Sequence, residues 1–353
     1  MVNRLSAEEV IGQDLFRDRN EGAVRNKLRE YFGIATVVKT RLEVPPSLAE
    51  KPLWSAPIKG HAHSLALSPE GKMLAVGHAR DGVFLLDGAT GVRVADLPAK
   101  GEYLRVQFRK SDGHLLTFNM MKSLAEWDVA GRKLLREQSL KTSPLNDIVF
   151  SDSCDMIAGG SANEPSVSVM DLKTGTLRWT QPMRIRGFAL IALSPDDRCL
   201  AVCDGFSKTI MLWDTASPNP IARLEGHAGV PGRARFSPDG AWLISTGDDE
   251  KILLWDGRTG ALRHEYTGSV ARFNAVAFTA DSQRFIACPA HGKFGVFDCA
   301  TGQATHGFTV PGNWVSEMSV SADGTRLFML VVRSDGLGTH ESRVDCWSLA
   351  ETK

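Results

Sequence analysis

Histidine, cysteine, serine and carboxylate side chains are the groups that could carry chemistry in this chain of 353 residues, and their spacing limits what that chemistry could be. The nine histidines come nearest to a metal site in Gly60-His61-Ala62-His63. This pair alone, however, falls short of the ligand set that a metal site needs. The cysteines, Cys154, Cys199, Cys203, Cys288, Cys299 and Cys346, contain no Cys-x-x-Cys pair and lie mostly in or beside apolar strand-like runs. That is the placement of small buried thiols in a reducing compartment. His227, Ser245 and Asp248, with Trp255 close behind, have the residue types of a base, a nucleophile and an acid. No HExxH, GxSxG or P-loop motif accompanies them. No catalytic residue, cofactor or metal ligand is assigned.

The elements that must position these side chains announce themselves by repetition. An apolar residue followed by an acid ends a strand-like run at Leu86-Asp87, Trp127-Asp128, Met170-Asp171, Trp213-Asp214, Trp255-Asp256 and Phe297-Asp298, and Trp347-Ser348 ends the series. The steps are 41, 43, 43, 42, 42 and 50 residues. A second marker, an apolar residue before a polar turn, recurs at Leu67, Phe108, Phe150, Leu193, Phe236, Phe278 and Val320, in steps of 41, 42, 43, 43, 42 and 42. Two markers in phase over seven units define a repeat architecture. Within a unit the runs are short, alternate in polarity and are separated by Gly and Asp turns, which predicts one four-stranded antiparallel sheet per repeat.

The fifth unit carries Gly226-His227, Phe236-Ser-Pro-Asp-Gly240, Leu243-Ile-Ser-Thr-Gly-Asp248 and Trp255-Asp256, and in these residues the chain resembles the WD40 repeat family. The resemblance extends from about Leu53 to Lys353, although Gly-His stands in place only in the first and fifth units and Trp-Asp only in the second, fourth and fifth. It implies an all-β fold, a seven-bladed propeller over residues 51–353. It also implies that His227, Ser245, Asp248 and Trp255 form a structural hydrogen-bonded network rather than a catalytic set. After Trp347-Ser348 too few residues remain for a last strand, so the N-terminal run 53–58 is expected to complete the seventh blade and close the ring.

Residues 1–50 do not fit the repeat. Ser6 with Glu9 forms a capping box ahead of Val10, Ile11, Leu15 and Phe16, Val24, Leu28, Tyr31 and Phe32 keep helical spacing, and Val44-Pro-Pro46 reads as a linker. A short helical N-terminal extension follows, docking on its own propeller or serving as a second partner site.

The resemblance places one set of connections on a common rim, which would hold Tyr103, Arg105, Met120, Met121, Arg184, Arg186, Arg233, Arg272, Phe273 and Trp314. Arg, Trp, Tyr and Met are the types enriched at interface cores. The expected function is a non-enzymatic scaffold or adaptor, a subunit of a multiprotein complex that binds a protein, or an acidic or phosphorylated peptide, on this rim. The alternatives are an enzyme or small-molecule sensor using the central channel, where His63, Arg105, Asp147, Arg233 and Glu317 would stand, or a regulatory module of a larger effector. Equal numbers of basic and acidic residues, 41 of each, argue against nucleic acid as the partner. The longest apolar runs, Phe188–Leu193 and Leu327–Val332, are far shorter than the roughly 20 residues of a membrane span, and a cytoplasmic location is expected.

Overall fold

Each sequence marker is a turn that closes on its own side chains. In the computed structural model Ser237 Oγ donates to Asp239 Oδ1 at 2.6 Å and accepts the Trp242 amide at 2.9 Å. Ser194 with Asp196, Thr279 with Asp281 and Ser321 with Asp323 repeat the first of these bonds. At the other marker Asp256 Oδ1 accepts the Arg258 and Thr259 amides, and Gly260 completes the turn at φ 72°, a conformation that suits glycine. Asp87, Asp171 and Asp298 cap the same turn in their own units. Short side chains that satisfy backbone amides locally are the physical reason for the 42-residue rhythm.

The structure describes residues 37–44, 51–102, 104–119, 123–140, 145, 147–161, 165–183, 191–204, 208–267, 275–290, 292–310, 314–334 and 340–349. They form seven antiparallel sheets, the blades of a propeller. Blade 1 is Ala62–Leu67, Met73–His78, Val83–Asp87 and Arg93–Leu97. Blade 2 is Arg105–Phe108, Leu115–Phe118, Ser123–Asp128 and Lys133–Ser139. Blade 3 is Asp147–Phe150, Met156–Ser161, Ser166–Asp171 and Thr176–Pro182, and blade 4 is Ile191–Leu193, Cys199–Asp204, Thr209–Asp214 and Pro220–Leu224. Blade 5 is Pro231–Phe236, Trp242–Gly247, Lys251–Asp256 and Leu262–Thr267, and blade 6 is Ala277–Phe278, Arg284–Ala290, Lys293–Asp298 and Ala304–Thr309. Blade 7 takes Trp314–Val320, Arg326–Ser334 and His340–Ser348, and its outer strand is Trp54–Ile58 from the other end of the chain, antiparallel in the register Trp54↔Cys346 to Ile58↔Ser342. Ser55 Oγ donates to the buried Asp345 carboxylate at 2.7 Å across this seam. A ring closed this way leaves no long sheet open between first and last blades.

The second and third strands of most blades, such as Met73–His78 with Val83–Asp87 in blade 1, are largely buried apolar runs because both faces are covered by neighbouring blades. The seams are aromatic: Phe308 stacks on Trp347 at 5.0 Å between blades 6 and 7, and Trp179 lies 5.7 Å from Trp213 between blades 3 and 4. First strands of adjacent blades touch, in the runs 7-1-2, 3-4-5 and 6-7, so they line the inside of the ring.

One strand departs from the sequence reading. Val38–Arg41, assigned above to a helical extension and linker, is a fifth strand on the outer edge of blade 5. Lys39 Nζ lies 3.5 Å from Glu265 and the Leu42 amide donates to Thr267 O at 2.9 Å. An edge strand with one buried anchor, Leu42, has no alternating pattern to reveal it. The helices expected over residues 1–33 lie outside the described residues.

Candidate functional site

The channel acquires its chemistry from the odd positions of the first strands, since side chains at i and i+2 share one face. Arg105 starts the first strand of blade 2 and Glu317 lies in that of blade 7, yet Arg105 Nη1 reaches Glu317 Oε1 at 2.6 Å. Blade 1 stands between them, so the pair crosses the inside of the ring. Glu317 Oε2 accepts the Leu65 amide of blade 1 at 2.6 Å. A carboxylate only 11% exposed is thus matched by one guanidinium and one amide, the condition for a buried charge to be tolerated. Arg233 of blade 5 crosses blade 6 in the same manner, with Nη2 donating to Ser316 O at 3.0 Å.

Two residues on from Arg233, Arg235 joins them. It is exposed to solvent yet close enough to Glu317 and Arg105 to feel both charges. Desolvation pulls its guanidinium below the ordinary value, Glu317 pushes it back up, and the like charge of Arg105 lowers it again. Arg105 and Arg235 therefore both act on the Glu317 carboxylate, and Arg233 reaches the neighbouring Ser316 carbonyl. The His63 ring lies 4.0 Å from the His61 ring at the same end, and His63 O is 3.5 Å from Arg105 Nη1. Arg235 was not singled out in the sequence, although the i, i+2 alternation from Arg233 carried the signal.

The other expected positions divide clearly. Tyr103, Met120, Met121, Arg184, Arg186, Arg272 and Phe273 lie outside the described residues. Trp314 begins the first strand of blade 7, opposite Val332, and Asp147 begins that of blade 3, opposite Gly160; neither side chain is among those described. Arg105 and Arg233 point into the channel.

The His-Ser-acid set is a chain of hydrogen bonds inside blade 5. Trp255 Nε1 donates to Ser245 Oγ at 2.9 Å, Ser245 Oγ meets His227 Nε2 at 2.9 Å, and His227 Nδ1 faces Asp249 Oδ1 at 3.0 Å. The acid is Asp249, not Asp248. Asp248 instead binds the loop backbone, pairing with the Val230 amide and carbonyl, because it leaves the second strand one residue earlier and points at the preceding loop. Burial raises the Asp249 carboxyl, but the His227 hydrogen bond and charge and the Ala228 amide bring it down to about 2. Ser245 is fully buried and spends its oxygen between two ring donors or acceptors, so it has no approach for a substrate. In the first unit His78, at the end of the second strand, binds Lys59 O with Nε2 and accepts the Arg80 and Asp81 amides on Nδ1.

A candidate cation cluster, Asp112, His114 and Glu126, has its ligand atoms within 4.8 Å of one another. Arg109 Nη1 already stands 2.9 Å from Asp112 and 2.8 Å from Glu126, and it holds the Glu126 carboxyl below its usual range. The guanidinium takes the place a metal ion would need. No helix among the described residues is long and apolar enough to cross a membrane.

Comparison with known proteins agrees with this geometry. The family model for the WD domain, G-beta repeat, matches residues 184–214 and 218–256, which hold blade 4 and most of blade 5. Protein TOPLESS of Arabidopsis thaliana is 30% identical over 132 residues, 36% of this chain and 11% of that protein. Target of rapamycin complex subunit LST8 of Saccharomyces cerevisiae is 27% identical over 140 residues, 39% of this chain and 45% of that protein. Autophagy-related protein 16 of Arabidopsis thaliana is 23% identical over 256 residues, 70% of this chain and 47% of that protein. The chain spans less than half the length of each of these relatives.

Proposed function

We propose that this chain, a seven-bladed propeller carrying WD40 repeats, is a non-enzymatic interaction platform, a subunit of a multiprotein complex that receives an acidic segment of a partner at the channel mouth. The observation that carries the reading is the convergence of Arg105, Arg233 and Arg235, from two different blades, on the Ser316-Glu317 stretch of blade 7. Guanidinium groups held on rigid first strands offer fork-like donors to carboxylate or phosphate without further ordering cost. A subunit role also agrees with the name of the relative that is a target of rapamycin complex subunit. Buried or half-buried cysteines in several blades suit a reducing compartment, and the cytoplasm is the location proposed.

The test is affinity capture from native lysate with the full chain and with an Arg233→Ala, Arg235→Ala variant of matched melting temperature. Arg105 is left in place because removing it would strand the Glu317 carboxylate and perturb the fold. A partner held by the wild type and lost by the variant supports the platform. Equal capture of every partner by both proteins refutes the channel mouth as the docking face.

A further inference from the structure

Blade 5 shows how an outer edge of this propeller accepts a visiting strand. Glu265 on its fourth strand meets Lys39 of the added segment, Thr267 O takes the Leu42 amide, and Leu42 sinks into a cluster with Ile244, Ile252, Tyr266 and Phe285. The Tyr266 ring fills the groove towards blade 6 and its hydroxyl donates to Cys299 O at 2.7 Å. Thr40 and Tyr266 both crowd Gly302.

Blade 2 has the same site with no visitor on it among the described residues. Its fourth strand, Lys133–Ser139, is the last in its sheet. By register Glu137, opposite Ala125, stands where Glu265 stands opposite Leu253, and Gln138, opposite Leu124, stands where Tyr266 stands opposite Ile252. Gln138 Nε2 reaches Leu172 O at 3.4 Å, as Tyr266 reaches Cys299 O. Gly175 approaches Gln138 where Gly302 approaches Tyr266. Glutamine is the smaller side chain, and an open pocket of about 760 Å³ lies over Leu116, Leu124 and Leu172, walled by Arg109, Glu126, Lys173 and Arg136, the last of which binds both Gln138 Oε1 and Leu172 O.

The acid marks blade 2 out from the others. At the equivalent position blades 3, 4 and 6 have Thr180, Arg223 and Gly307, and in blade 1 Asp96 is already held by Arg93 at 2.6 Å. Glu137 is exposed and accepts a hydrogen bond from Ser123 Oγ at 3.0 Å. Leu135, on the same strand, is 45% exposed.

We propose that the outer edge of blade 2 and the pocket beside it bind an extended segment of a partner protein. A lysine or arginine of that segment sits against Glu137 and an aliphatic side chain three residues later enters the pocket, as Lys39 and Leu42 do on blade 5. Backbone pairing along Glu137–Ser139 supplies affinity, and the acid with the pocket supplies selectivity. This site is independent of the channel mouth.

The probe is a labelled peptide with the sequence of residues 37–44, titrated against the full chain by fluorescence polarisation. The tethered copy of this segment holds the blade 5 site at high effective concentration, which leaves blade 2 to the free peptide. Glu137→Lys, which opposes the basic residue, is expected to weaken binding about tenfold, whereas Gln138→Tyr, which rebuilds the blade 5 form of the site, is expected to preserve it. Arg235→Ala in the channel is expected to leave it unchanged. Melting curves matching the wild type show that the variants fold. No binding up to millimolar peptide, binding that survives Glu137→Lys, or equal binding of a scrambled peptide overturns the proposal. A concentration-dependent dimer abolished by Glu137→Lys would put a second copy in the groove and overturn the partner assignment.

Discussion

Asp249→Asn tests whether the blade 5 network stabilises the fold through a buried charge. The carboxyl is drawn from its ordinary 3.8 to about 2 in the folded protein, so the folded state binds a proton less readily than the unfolded chain. The stability from this group is present above the unfolded value and is lost as pH falls through the folded one. The shift corresponds to about 2 kcal/mol at pH 7 and at about pH 4, about 1 kcal/mol near pH 3 and almost nothing near pH 2. The asparagine side chain keeps an oxygen to accept the Ala228 amide, which in the wild type lies 2.7 Å from Asp249 Oδ2, and it does not titrate. Urea unfolding of both proteins at a series of pH values between about 7 and 3 would measure the difference. The gap between them is expected to be widest at neutral pH and to shrink by about half towards pH 3. A gap independent of pH would show that the cost comes from lost packing or hydrogen bonding, and would refute the charge argument.

Three other substitutions check separate parts of the fold. Val202→Thr is expected to stabilise by about 1 kcal/mol in urea unfolding: Trp213 Nε1 is buried without a hydrogen-bond partner among the described residues, and Val202 holds the register position from which Thr117 accepts Trp127 Nε1 at 3.2 Å in blade 2; a lower midpoint would count against it. Gly247→Ala would put a Cβ 2.5 Å from Asp249 Oδ1 and 2.6 Å from His227 Nδ1, and is expected to lower stability by about 2–3 kcal/mol; an unchanged melting temperature would show that the network yields freely. Tyr266→Phe removes the bond to Cys299 O and should cost about 1–2 kcal/mol with accelerated exchange of the Leu42 amide, whereas unchanged exchange would show that the segment is held without it.

The propeller was legible because its turns are local. Asp256 with Gly260, and Ser237 with Asp239, complete their hydrogen bonds within five residues, so the sequence pattern and the geometry are the same fact. Closure by Trp54–Ile58 could be read from a missing strand at one end and a surplus one at the other. Features that depend on partners far along the chain were harder to see. Val38–Arg41 takes its structure from the edge of blade 5 and from the groove that receives Leu42, neither of which leaves a local periodicity. Asp248 and Asp249 are adjacent acids, and only the exit direction of the second strand decides which meets His227. Arg105 and Arg233 carried a signal as arginines near strand starts, but their partners Glu317 and Ser316 lie two blades away across the channel.

The blades differ chemically through single positions in a shared register. Where blade 5 has Ser245 to join Trp255 and His227, blade 2 has Thr117 for Trp127 alone, and blade 4 has Val202 and an indole N–H with no partner among the described residues. Where blade 5 has Tyr266 and a groove filled by Leu42, blade 2 has Gln138 and an open pocket. The backbone hydrogen bonds of each sheet are indifferent to these exchanges, so the ring tolerates them at a local cost of about 1–2 kcal/mol each. That tolerance lets one blade bury a polar network while another, a few seams away, keeps an exposed acid and an unfilled groove at its outer edge. A repeat fold of this kind gains distinct binding faces by leaving particular equivalent positions incomplete, and Glu137 with Gln138 is the pair in which the completed version, Glu265 with Tyr266, stands in the same molecule for comparison.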